Sequence, residues 1–76
     1  MSMEDLVAYR LGRIAADGFD IYKIAKEALK IYQDPNFSLT KNLDTALLSL
    51  MAMVEVPEFE MAENEFHEFL SDIRRM

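Results

Sequence analysis

Between Ala46 and Val54 the chain carries one polar residue, Ser49, in an otherwise apolar run. Leu43, Ala46, Leu47, Leu50, Met51 and Val54 follow the i, i+3, i+4, i+7 spacing of a helix, and Leu48 and Ala52 fall on the opposite side. A helix apolar nearly all round belongs at the centre of a fold or against a partner. With only 76 residues there is little other protein to cover both sides. A domain of this size buries roughly 60% of the surface that its unfolded chain exposes, so help from a second copy or another protein is physically reasonable.

The rest of the chain is punctuated so as to give three more helices. Asp17-Gly18, Asp34-Pro35-Asn36 and Val56-Pro57-Glu58 are turn signals, and no segment between them alternates with period two. The first helix starts near Ser2, a side chain able to cap free N–H groups, with Glu4 and Asp5 placed to favour the helix dipole. Val7, Leu11, Ile14 and Ala15 make its inward stripe. Ala8, Gly12 and Ala16 form a row of small residues beside it, suited to the close approach of another helix. Gly18 suits the left-handed position after the helix end.

Asp20 caps a second helix over about 21–33, whose residues Lys23, Lys26, Lys30 and Glu27 are read as the polar side. Thr40 or Ser38 caps the third, over about 41–54. Residues 55–61 mix acids with Val56, Phe59 and Met61 and read as an extended connector. The fourth helix spans about 62–75, with Phe66, Phe69, Leu70 and Ile73 inward. Its start has a Met61–Phe66 staple and Glu65 in the capping-box position, but the cap residue is Ala62, which has no acceptor. The expected architecture is therefore all-α: one domain over 1–76, a bundle of four short helices, or three if the first two are continuous. Its expected core is Val7, Leu11, Ile14, Ile21, Ala25, Ala28, Leu29, Leu43, Leu47, Leu50, Met51, Val54, Phe66, Phe69 and Ile73.

Catalytic chemistry has little to build on. There is no cysteine, which excludes disulfides and thiolate metal sites. The one histidine, His67, sits a turn after Glu63 on the outward side; Asn64 occupies the position that a Glu-x-x-His metal motif needs. Ser38, Ser49 and Ser71 lack a base-and-orienter set. The only glycines, Gly12 and Gly18, cannot form a phosphate-binding loop. Neither an enzyme nor a cofactor is expected. A net charge of −6 argues against nucleic-acid binding through phosphates. No apolar run approaches a membrane span, and the N-terminus lacks signal-peptide order, so a cytoplasmic protein is expected.

The charge is unevenly placed. Residues 1–33 hold five basic and five acidic side chains, whereas residues 34–76 hold three basic and nine acidic. Glu55, Glu58, Glu60, Glu65, Glu68 and Asp72 would form an acidic rim that orients a basic protein partner. Leu48, Met51, Met53 and Phe59 would supply the apolar anchor, with methionines adapting to the partner's shape. The expectation is a small acidic, non-catalytic interaction module, of the inhibitor or immunity type. The alternative is an obligate homodimeric structural protein whose third helix is buried by its mate.

Two short segments have a loose likeness to known small acidic proteins. Asn42-Leu43-Asp44-Thr45 is similar to the region after the prosthetic-group serine of acyl carrier proteins. Asn42 stands in that serine's place and cannot take the group, so the resemblance implies at most a degenerate carrier domain. Ala62-Glu63-Asn64-Glu65-Phe66 looks like an acidic helix start of the colicin-immunity kind, and transfers no functional residue.

Overall fold

Four local caps set where the helices begin in the computed structural model, which describes residues 2–76. The Ser2 hydroxyl accepts from the Asp5 N–H at 3.1 Å and starts α1 (Met3–Ala16). The Asp20 carboxylate accepts from the Tyr22 N–H at 2.9 Å and starts α2 (Ile21–Gln33). The Thr40 hydroxyl accepts from the Leu43 N–H at 3.2 Å and starts α3 (Lys41–Ala52). At α4 (Glu63–Arg74) only half of this arrangement exists: the Glu65 carboxylate accepts from the Ala62 N–H at 2.9 Å, and Ala62 offers nothing in return. Gly18 adopts φ +132° just past the end of α1, a conformation that a side chain would strain.

The principal packing partners are α1 with α2, α1 with α4, and α2 with α3. They enclose one apolar cluster with contributions from every helix, within a body of 28 × 20 × 20 Å. Gly12 lies at the α1–α4 seam, where a Cβ built on it would sit 3.6 Å from Leu70 Cδ1. Of the small-residue row, Ala8 is buried, Gly12 is half-buried and Ala16 is exposed. Phe19, between α1 and α2, brings its ring centroid to 5.7 Å from that of Phe66 and ties the fourth helix to the first loop.

Several local expectations are corrected. Leu29, expected in the core, is 42% exposed, because the side of α2 that meets α1 and α3 is centred on Ile24, Ala28 and Ile31. Met53 was expected at the surface and is 1% exposed: α3 ends at Ala52, and the following turn carries Met53 back into the cluster. Ile14, Ile21, Met51 and Phe69 pack half-buried against the core, and Val54 is half-buried outside it; Ala8, Ala15, Ile24, Ile31, Ala46 and Leu70 are buried members that the expected core omitted. The connector is not extended throughout. Pro57 opens a 3₁₀ turn (Pro57–Phe59), closed by Phe59 N–H to Val56 O at 2.9 Å and Glu60 N–H to Pro57 O at 3.1 Å. Proline's fixed φ is already that of a helical first position.

Candidate interaction surface

The apolar circumference of α3 is almost wholly covered within the chain. Leu43, Ala46, Leu47 and Leu50 are buried, Met51 and Ala52 are half-buried, and only Leu48 among its large apolar residues is exposed. What remains open lies along the α2–α3 seam. A shallow groove of about 410 Å³ is lined by Tyr22, Ala25, Lys26 and Leu29 from α2, and by Met51, Val54 and Glu55 from the end of α3 and its turn. Tyr22 is 68% exposed and Leu48, one turn before Met51, is 46% exposed. The start of α2 and the end of α3 line the same groove, so the two helices run antiparallel.

The amphipathic arithmetic explains why this seam stays open. On α2, Tyr22, Lys26, Leu29 and Gln33 follow at i, i+4, i+7 and i+11; along α3 and the turn after it, Asp44, Leu48, Met51 and Glu55 have the same spacing. Each strip mixes apolar and charged residues, so neither is a core face. Together they put Tyr22, Leu29, Leu48 and Met51 on one side of the molecule.

The acids expected to form a rim have divided fates. Glu55 borders the groove and is exposed, as are Glu58 and Glu60 in the connector. Glu65 is engaged with its own helix start at the Ala62 N–H, and Asp72 pairs with Arg75. Of the α4 strip, Glu68 alone has neither an ion pair nor a side-chain hydrogen bond among the described residues. Phe59 is exposed but does not line the groove that contains Met51. The expected anchor set of Leu48, Met51, Met53 and Phe59 therefore loses Met53 to the core, and sequence reasoning missed Tyr22 and Leu29. Tyr22 lies two residues past the Asp20 cap, and its i+7 relation to Leu29 is the available signal.

A second feature that sequence patterning missed lies between α1 and α2. Arg10 Nε donates to Glu27 Oε2 at 2.9 Å, and Arg10 Nη2 lies 2.6 Å from the same oxygen. The Glu27 side chain is 10% exposed and that of Arg10 33%. The guanidinium also stands 5.5 Å from the ring centroid of Phe37. The place of Glu27 among Lys23, Lys26 and Lys30 in the sequence assigns it to the polar side of α2. Its partner lies seventeen residues away, which no helical spacing reveals. The shallow groove beside this pair, about 340 Å³, also meets Tyr9, Arg13, Ile14 and Asp17. With the carboxylate already satisfied by Arg10, that groove has no unmatched buried polar group to offer a ligand.

His67 Nε2 stands 4.0 Å from Glu63 Oε2, with both side chains 60% exposed. Among the described residues no group of three or more His, Asp or Glu side chains is placed to hold a metal ion. No helix among them is long and apolar enough to cross a membrane. No family model, curated protein or solved structure matches the chain.

Proposed function

We propose that this chain is a non-catalytic protein-interaction module that binds helical surfaces through its α2–α3 face. The observation that carries this reading is that Tyr22, Leu29 and Met51 line one groove, with Leu48 exposed one turn before Met51. Large apolar side chains left open singly are ordinary, whereas several on one face mark a docking surface. Aromatic and methionine side chains are the residue types that such surfaces favour. The side chains able to do proton or metal chemistry support the non-catalytic part: the lone histidine is exposed, and its one acidic neighbour is exposed with it. Steering of a basic partner falls to Glu55, Glu58, Glu60 and Glu68, since Glu65 and Asp72 are occupied locally.

The test is a selection of helical peptides from a random library against the immobilised chain. Selected binders should lose at least tenfold in affinity for Leu29→Arg and for Tyr22→Ala, and should be indifferent to Arg74→Ala on the far helix. Binders that ignore both groove variants, or no binder above background, would overturn the reading. Circular dichroism of each variant checks that the exposed substitutions leave the helices intact.

A further inference from the structure

The four helices are not tied into the bundle equally. α1 and α2 share the buried Arg10–Glu27 pair, with the Arg10 guanidinium over Phe37. α4 has no polar tie of that kind. Its side-chain hydrogen bonds and ion pairs among the described residues all fall within residues 62–75: Glu65 with the Ala62 N–H, Glu63 with His67, the Ser71 hydroxyl with the His67 carbonyl, and Asp72 with Arg75. α1 is its one principal packing partner. What holds it is apolar: Phe66, Leu70 and Ile73 are buried, with Phe66 beside Phe19 and Leu70 at Gly12.

This helix is also the least able to stand by itself. Ala62 offers no side-chain acceptor to its first turn, whereas Ser2, Asp20 and Thr40 cap α1, α2 and α3. Glu65, Glu68 and Asp72 repeat at i, i+3 and i+7, so like charges adjoin along its outer side. Its 12 residues fall in the range where an isolated helix is marginal in water. α3 has the same length and likewise no side-chain bond to another helix among the described residues, but it differs where it counts. It is capped by Thr40, it buries Leu43, Ala46, Leu47 and Leu50, and Met53 follows it into the core.

We propose that α4 is a detachable element, which leaves the bundle and unwinds as one unit while α1, α2 and α3 stay folded. Sub-global opening of this kind selects the element with the fewest ties to the rest. The hinge is residues 60–62, where Glu60 and Ala62 are extended, with ψ 127° and 165°. The connector before the hinge stays with α3, because Val56 N–H donates to Ala52 O at 2.9 Å and Phe59 N–H to Val56 O at 2.9 Å. Opening uncovers apolar surface around Gly12 and Phe19, which Leu70 and Phe66 cover in the closed bundle. Tyr22, Leu29 and Met51 all belong to the part that stays, so the α2–α3 groove persists in both states.

Amide hydrogen exchange of the full chain, followed by NMR in water and in low urea, tests the inference. The amides of residues 67–74, inside α4, should share one protection factor, at least about tenfold below that of the slowest amides of α1, α2 and α3. Their exchange should respond less steeply to urea, because the opening exposes less surface than global unfolding. Thr40→Ala removes the α3 cap; it should lower the slowest amides about fivefold and leave those of α4 unchanged. Ala62→Ser should raise α4 protection by roughly twofold to thirtyfold. α4 amides as protected as the slowest ones, or falling with them in Thr40→Ala, would mean that the bundle opens only as a whole and would overturn the inference. So would protection that declines steadily toward residue 74, which is fraying of one end and not release of a unit.

Discussion

Replacing Arg10 with methionine keeps the length of the side-chain stem and removes the only charged partner of Glu27 among the described residues. The carboxylate is left nine-tenths buried with no donor in place of the two nitrogens now at 2.6 and 2.9 Å. Breaking a fully buried pair costs about 3–5 kcal/mol. Arg10 is one-third exposed, so water reaches part of the site and the expected loss is about 2–3 kcal/mol. For a chain of 76 residues the whole folding stability is roughly 4–11 kcal/mol, so the change is a large fraction of it. It corresponds to a fall in Tm of roughly 10–20 °C, at about 4–8 °C per kcal/mol for a domain of this size.

The discriminating variant is the apolar double replacement, Arg10→Met with Glu27→Met. If the single loss comes from stranding a buried carboxylate, removing the carboxylate as well should return most of it. The remainder, about 0.5–1 kcal/mol, is the lost stacking of the guanidinium over Phe37. Urea unfolding followed by far-ultraviolet circular dichroism gives the four stabilities of the cycle, at equal m-values and at concentrations too low for self-association. A single variant within about 0.5 kcal/mol of wild type, or a double variant no more stable than Arg10→Met, would refute the burial argument.

Other substitutions follow from the helix ends and seams, and the same urea titration measures each. Gly12→Ala should stabilise by about 0.5–1 kcal/mol, because the added Cβ makes only ordinary contact, 3.6 Å from Leu70 Cδ1, and removes the glycine penalty in α1. Gly18→Ala should destabilise by about 1 kcal/mol, through backbone strain at φ +132° and not through a clash, since nothing lies within 4 Å of the new Cβ. Ala62→Ser should stabilise by about 0.5–2 kcal/mol, because Ala62 already has φ −73°, ψ 165°, nearly the backbone angles at the serine cap of α1. Leu48→Glu should leave the dilute chain within about 0.5 kcal/mol of wild type, as for an exposed position, with a larger effect counting against an open α3 edge.

What could be read from the sequence was what is decided within one turn of helix. Ser2, Asp20 and Thr40 cap through oxygens two or three residues from the N–H groups they satisfy, and Gly18 answers to its own φ. Those choices fix four helices and their order. Which strip of a broadly apolar helix faces inward depends on its neighbours, and there the pattern was ambiguous. Leu29 and Ile31 are equal candidates on a hydropathy scale, and only the directions of α1 and α3 separate them. Met53 depended on a helix ending two residues before its apolar pattern did. Glu27 looked like one more charge among lysines until α1 brought Arg10 to it.

The three principal seams of the bundle are held by different means, and the difference bears on function. At α1–α4 a glycine admits Leu70, so the seam closes on shape. At α1–α2 a buried charge pair closes it, and neither partner is free to engage anything else. At α2–α3 the interior is apolar, but the outer side combines open hydrophobic side chains with lysines and carboxylates that form no ion pair among the described residues. Unpaired surface charge costs little while water solvates it, and exposed apolar groups are tolerated singly. Both kinds of group gain most when a complementary surface removes the apolar ones from water and matches the charges at the margin. Of the three seams only the last leaves both kinds of group open to such a surface.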